Sequence, residues 1–233
     1  MLELDGWLNV YKPKSFSSAG IVSILKRKLR VKKMGHGGTL DPLAVGVLPI
    51  CIGKATKQTE LVMNCHKEYL FNIKFGIKKS TADEEGEIIE TSDFIPKEGE
   101  ILKRIPEFVG IIKQTPPAFS AIKVNGKRAY QLAREGKSFV LKERDVEILD
   151  LIFKGWVASN EIQLLVKCGK GFYVRSFSED FAKSLGALGY TSYLERVSVG
   201  IFKKESALEI DNIRIEDIKQ ISVDENNLYL NCQ

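Results

Sequence analysis

"GHGGTLDPLAVGVLP", residues 35–49, is the stretch on which the reading of this chain turns. Glycines surround His36, an Asp41-Pro42 pair follows, and an apolar run begins just after it. Four readings compete: a phosphate cradle, half of a metal site, a tight turn, or the seat of a reactive carboxylate. A phosphate cradle needs G-x-x-x-x-G-K-[ST], or G-x-G-x-x-G directly after a strand. The stretch holds neither, and a basic helical segment precedes it. A metal site needs ligands. His36 and Asp41 stand five residues apart with no third ligand signalled, and His66 is the only other histidine. The four cysteines, Cys51, Cys65, Cys168 and Cys232, are widely spaced with no C-x-x-C pair, which speaks against a zinc knuckle and against a disulfide framework. Two readings stay open. Pro42 pushes Asp41 into extended backbone, a sound way to hold a short carboxylate. Asp-Pro is equally a common opener of turns, and by spacing alone the turn is favoured.

Working outward, "GWLNVYKP" (6–13) reads as a strand stopped by Pro13, and "SSAGIVSILKRKLR" (17–30) as a helix with a serine N-cap. The helix's apolar stripe is Ile21, Val22, Leu25 and Leu29. Residues 35–46 then read as a loop, 47–53 as a buried strand and 54–63 as a short helix. "KEYLFNIKFG" (67–76) alternates, with Tyr69, Phe71, Ile73 and Phe75 on one face. Residues 98–110 are helical with an interruption at Pro106. Residues 120–136 combine a strand, an Asn125-Gly126 hairpin turn and a helix ending at Gly136. Residues 144–156 and 161–169 read as neighbouring strands, 169–186 as a strand turning into a helix that ends at Gly186, and 193–202 as a last strand. Strands come in hairpin-like groups without regular βαβ alternation. The expected class is α+β, with a central, largely antiparallel mixed sheet flanked by helices.

Of the 233 residues, 44% are hydrophobic and 28% charged, ordinary proportions for a globular chain. No run approaches the roughly 18 apolar residues that span a bilayer. The N-terminus has neither a basic n-region nor an apolar h-region, so a cytoplasmic protein with no membrane partner is expected. Charge is uneven. Residues 1–80 carry 14 Lys/Arg against 5 Asp/Glu, and "KRKLRVKK" (26–33) has six basic residues in eight. Residues 80–94 are acidic, and from Lys203 onward there are 4 basic and 7 acidic residues. That asymmetry fits a polyanion on one face. It fits equally a helix whose cations suit the C-terminal end of its dipole.

The stretch "GHGGTLDPLAVGVLPICIGKATK" (35–57) resembles the signature of the TruB family of pseudouridine synthases. "YKPKSFSS", "KEYLFNIKFG", "QTPPAFSAIKVNGKRAYQLAREG" and "GKGFYVRSFSEDFAKSLG" resemble four further blocks of that family, in the expected order over about residues 5–215. The resemblance implies the pseudouridine synthase fold and isomerisation of a uridine in the TΨC loop of tRNA. The C1′–N1 bond breaks, the base turns, and C5 bonds to C1′, with no metal and no organic cofactor. It implies that Asp41 is the catalytic aspartate, attacking the ribose or assisting its deprotonation. It implies that Tyr69 offers a stacking surface for the uracil, that Arg175 keeps the carboxylate ionised in a closed pocket, and that Tyr173 and Leu194 line the base pocket. His36 matches a histidine near the flipped nucleotide, since a uridine inside a folded loop must be extruded to be reached. The glycines around it read as clearance for an RNA backbone. Lys12, Lys26, Arg27, Lys32 and Lys33 are expected to meet phosphates without reading sequence. The alternative is a catalytically inactive RNA-binding or RNA-folding protein of the same fold.

Three departures from the family pattern stand out. Ser15 occupies a usual glycine position after Lys-Pro-x. Gly189-Tyr190 and Leu194-Glu195-Arg196 stand where Ala-His and Leu-Arg-Arg are usual, which puts an acid beside the expected RNA face. A catalytic region over 1–210 is followed by only a short acidic tail, 211–233, too short for a PUA-type domain. The expectation is a monomer that binds tRNA through the catalytic region alone.

Overall fold

The computed structural model describes residues 4–120, 122–124 and 126–221. Asn125 of the expected hairpin turn, Cys232 and the end of the tail lie outside the described residues. The first part of the chain forms β1 (Gly6–Lys12), α1 (Ser18–Lys28), β2 (Met34–His36), β3 (Val45–Ile52), α2 (Thr59–Asn64) and β4 (Lys67–Phe75). Then come β5 (Ile77–Lys79), β6 (Ile88–Thr91), α3 (Glu98–Arg104), β7 (Gly110–Gln114), β8 (Lys123–Val124), β9 (Lys127–Arg128) and α4 (Ala129–Arg134). The chain continues through β10 (Arg144–Ala158), β11 (Glu161–Cys168), α5 (Val174–Ser184), β12 (Gly189–Val199), β13 (Phe202–Lys203) and β14 (Leu208–Glu209). Two compact units result: residues up to 70 with those from 194 on, and residues 71–193. The chain leaves the first unit within β4 and returns to it within β12.

In the first unit, β3 is the middle strand. It pairs antiparallel with β1, from Gly6↔Ile52 to Lys12↔Gly46, and antiparallel with β2. It also pairs parallel with β12, at Glu195↔Val45 and Arg196↔Gly46, while β14 runs parallel to β1. Because successive side chains of a strand alternate faces, β3 feeds two cores. Leu48, Ile50 and Ile52 join Leu8, Val10, Ile21, Leu25 and Leu29. Val47 and Cys51 join Trp7, Val62 and Phe202, the two rings lying 5.6 Å apart. Burial on both faces is why this segment reads as a continuous apolar run rather than an alternating one. Helix α1 is capped by the Ser17 hydroxyl, which accepts from Gly20 N–H at 3.0 Å, and lays the expected stripe on the first core. "MGH", expected within a loop, is the short strand β2. Three residues carry no periodicity by which to find it.

In the second unit, β10 pairs antiparallel with both β7 and β11. Phe71, Ile73 and Phe75 are fully buried, as the alternation of this strand requires. Phe177 and Phe181 of α5 form an aromatic cluster in which Phe177 meets the edge of Phe71 at 5.7 Å and Phe108 at 5.4 Å. Gly186 ends α5 at φ 74, a conformation that favours glycine. The acidic stretch after residue 80, which showed no element in the sequence, contributes β6 to a hairpin with β5. The class is α+β with a mixed sheet flanked by helices, as expected, and the parallel pairs of the first unit are what make the sheet mixed.

Candidate active site

Asp41 opens a four-residue turn closed by Ala44 N–H to Asp41 C=O at 3.1 Å, with Pro42 in the position that suits its fixed φ. The turn reading is therefore correct, and a turn at Asp41 is compatible with a function for the carboxylate it carries. Groups of the first unit hold the segment around this turn. The Ser18 hydroxyl both accepts from Leu40 N–H (2.8 Å) and donates to Leu40 C=O (3.1 Å). Ser15 N–H donates to Pro42 C=O at 2.8 Å. Arg196, 1% exposed, donates from Nε to Val47 C=O (2.8 Å) and from its terminal nitrogens to Gly38 C=O (3.1 Å) and Thr39 C=O (3.4 Å).

Lys12 corrects an expectation. It is not a surface cation awaiting phosphate but is 0% exposed, and its ammonium donates to the carbonyls of Pro13, Phe16 and Pro42. Burial pushes its pKa down to about 8, the Asp41 carboxylate pulls it up, and Arg196 pushes it further down. Lys12 is thus close enough to feel the charges of both Asp41 and Arg196. His36, half-buried at the end of β2, has its pKa lowered by burial first and by Arg196 second. Its Nδ1 is buried and makes no hydrogen bond among the described residues.

The glycines also read differently. A Cβ on Gly37 would stand 2.7 Å from the Val62 side chain, and one on Gly46 2.3 Å from Arg196 C=O. The clearance these two provide is for the protein's own packing, not for an RNA backbone. Glu195 does not face outward either. It is 1% exposed, accepts from Tyr11 Oη at 2.8 Å and pairs with Lys204 at 2.7 Å. Tyr69 on β4 and Leu194 on β12 are both partly buried. Lys26, Arg27, Lys32 and Lys33 are exposed, the first two in the last turn of α1.

Tyr173 and Arg175 belong to the second unit, at the start of α5. The Gln114 amide brackets Tyr173, accepting from its N–H (2.8 Å) and donating to its C=O (3.0 Å), and the Arg144 guanidinium lies 4.9 Å from the ring. Arg175 is 4% exposed, so it is no surface charge. It donates to Thr81 C=O and to Phe119 C=O (2.9 Å) and pairs with Asp83 at 3.6 Å. Such a set of acceptors offsets both burial and the unfavourable end of the helix dipole. Arg196, Ser18 and the buried state of Lys12 escaped the sequence reading. Their significance depends on which strands adjoin β3, and local sequence does not show that.

Among solved structures, an H/ACA RNP bound to a substrate RNA containing 2′-deoxyuridine superposes with a TM-score of 0.68 at 23% identity, covering 91% of this chain and 52% of that one. A Cbf5–Nop10–Gar1 complex gives 0.72 at 24% identity, covering 97% and 62%. This chain therefore spans about half to three-fifths of those chains, and at such identities the likeness is one of fold. The fold is the one these chains share. The family model described as TruB family pseudouridylate synthase (N terminal domain) matches residues 26–174. The tRNA pseudouridine synthase B of Ehrlichia canis (strain Jake) is 47% identical over 210 residues, 90% of this chain and 70% of that protein. That of Rickettsia bellii (strain OSU 85-389) is 45% identical over 225 residues, covering 96% and 76%. The chain belongs to the TruB family of pseudouridylate synthases.

Proposed function

We propose that this protein isomerises uridine to pseudouridine in tRNA, at position 55 of the TΨC loop, with Asp41 as the catalytic group. One observation supports the assignment above all: the segment 38–47 that carries Asp41 is held by Lys12, Ser18 and Arg196, all of them buried. Three polar groups are costly to bury, and their common feature is contact with this backbone. An isomerisation that breaks C1′–N1 and forms C5–C1′ needs a carboxylate in fixed register with the ribose; the C5 proton leaves and N1 gains one. Tyr69 stacks on the extruded uracil, worth roughly 1–3 kcal/mol. Tyr173 and Leu194 contact the base, Arg175 contributes a buried positive charge to the substrate-bound state, and His36, neutral, sits beside the emptied nucleotide position. Lys26, Arg27, Lys32 and Lys33 meet phosphates. The protein works as a monomer in the cytoplasm, without metal or organic cofactor.

The test is tritium release from a tRNA transcript labelled at uridine C5, comparing the wild type with Asp41→Asn. Release by the wild type and none by the variant supports the assignment. Equal release from both removes Asp41 from the chemistry. Binding without release by the wild type points to an RNA-binding protein that has lost catalysis.

A further inference from the structure

We propose that Arg196 is a positioning residue for the isomerisation, a clamp whose guanidinium fixes the backbone on both sides of Asp41. The proposal deepens the reading of Asp41 as the catalytic group and rests on it. Arg196 lies opposite Gly46 in the parallel pairing of β12 with β3. Its acceptors are the carbonyls of Gly38 and Thr39, before Asp41, and of Val47, after it. Backbone carbonyls carry no residue identity, so the clamp sets the path of the segment whatever its side chains are. A planar guanidinium spreads its donors over three nitrogens in fixed directions, whereas a lysine here would offer all of its donors from a single nitrogen.

The loop passes close to residue 196, touching its guanidinium at Gly38 and its backbone at Gly46. A Cβ on Gly38 would lie 3.4 Å from a terminal nitrogen of Arg196, and one on Gly46 would collide with its carbonyl oxygen. Both glycines adopt positive φ, +125° and +105°. A residue serving stability alone would not need its charge, since apolar side chains of similar volume fill buried space as well or better. Here the charge reaches the site: it lowers the pKa of both His36 and Lys12.

The test uses the full chain with Arg196→Lys, alongside Asp41→Asn, on the C5-tritiated transcript. In Arg196→Lys, kcat should fall about 10- to 100-fold, the size of loss a displacement of about 1 Å produces. KM and RNA Kd should stay within about twofold, because the missing interaction acts on the chemical step. Hydrogen exchange should rise in peptides spanning residues 38–47 and stay unchanged in β1 and α1. Wild-type kcat in a folded Arg196→Lys protein, unchanged exchange over 38–47, or a loss of kcat matched by an equal loss of RNA affinity would each overturn the clamp. If Arg196→Lys does not fold, Arg196→Gln takes its place. If neither folds, the residue serves stability and the positioning role is overturned. Full activity in Asp41→Asn rejects the underlying reading instead, and the exchange measurement then judges the clamp by itself.

Discussion

The ammonium of Lys12 lies 3.1 Å from the carbonyl oxygen of Pro42, the residue directly after Asp41. A buried cation therefore holds the backbone of the turn and sits within reach of the carboxylate's field. Its folded-state pKa is about 8 against 10.5 for an ordinary lysine. Below about pH 8 folded and unfolded chains both carry the charge, and the cost of burying it is fully present. As pH rises from about 8 to 10.5 the folded chain sheds the proton first, and the cost is relieved. The unfolding free energy of the wild type, relative to Lys12→Met, should therefore rise across that window. Over the same window kcat should fall as the positive charge beside Asp41 disappears. A descending limb with the same midpoint in Lys12→Met would assign the titration to another group.

For His36 the pH dependence of stability lies lower on the scale. Burial and Arg196 depress its pKa below 6.5, so it is neutral at physiological pH. Above pH 6.5 both states are neutral and nothing is lost; as pH falls below that value the unfolded chain takes up a proton that the folded chain resists. Stability carried by the neutral ring is thus lost on acidification. An NMR titration should show the His36 midpoint below that of His36 in the urea-unfolded chain. The acid-side loss of stability should shrink in His36→Gln. An unshifted midpoint would mean that neither burial nor Arg196 acts on this ring in solution.

Gly46 and Gly99 separate a glycine that is required from one that is not. At Gly46 the φ of +105° and a contact at 2.3 Å with Arg196 C=O oppose any side chain. Gly46→Ala should cost about 2 kcal/mol or more, combining backbone strain with a clash. At Gly99, in α3, a Cβ meets nothing within 4 Å. Gly99→Ala should leave stability unchanged or raise it by up to about 1 kcal/mol. Urea denaturation of the two variants checks both, and a mild effect at Gly46 would mean that β3 and β12 can part without loss.

These two glycines mark where the sequence stops informing. Local pattern gave α1, β1, β3, β4 and the β10–β11 pair, whether as a stripe, an alternation or a continuous apolar run, because burial against neighbours leaves those marks. It could not give β2, the β5–β6 hairpin or the parallel partners of β1 and β3. Three residues hold no period, an exposed hairpin buries no stripe, and parallel pairing joins segments far apart in the chain. The site divides the same way. Asp41 was singled out by its motif, and the turn that carries it by its Asp-Pro pair. The contacts of Arg196 were not legible, because a lone arginine on a strand reveals its acceptors only when the neighbouring strand is known. Lys12 was misread because a lysine is usually outside, and nothing in "VYKPKS" shows three carbonyls converging on it.

The exposed cations of the basic run admit two physical roles with different signatures. Lys26 and Arg27 complement the dipole at the end of α1, which contributes stability and says nothing of RNA. Cations that meet phosphates instead release counterions, and each phosphate neutralised on single-stranded or loop RNA contributes about 0.7 to the slope of log K against log salt. Changing Lys26, Arg27, Lys32 and Lys33 together to Gln should flatten that slope for tRNA binding by about 2 to 3. A lower melting temperature with an unchanged slope would leave only the dipole role.

Ser15 stands where the family pattern has glycine, and its φ of 71° is the left-handed conformation that pattern anticipates. For a residue with a Cβ this conformation costs roughly 1–2 kcal/mol. Replacing it by glycine also returns roughly 0.5–1 kcal/mol of entropy to the unfolded chain, so the net gain from Ser15→Gly should be about 0.5–1 kcal/mol. The Ser15 N–H donates to Pro42 C=O, and that bond is made by backbone in either case. The brace on the Asp41 turn should thus survive, with kcat within about twofold of wild type and a melting temperature a few degrees higher, as about 1 kcal/mol gives for a chain of this size. A variant that is less stable than wild type would show that the Ser15 side chain makes a contribution larger than its strain. A variant that is more stable but slower would show that the strained turn itself is tuned to the position of Asp41.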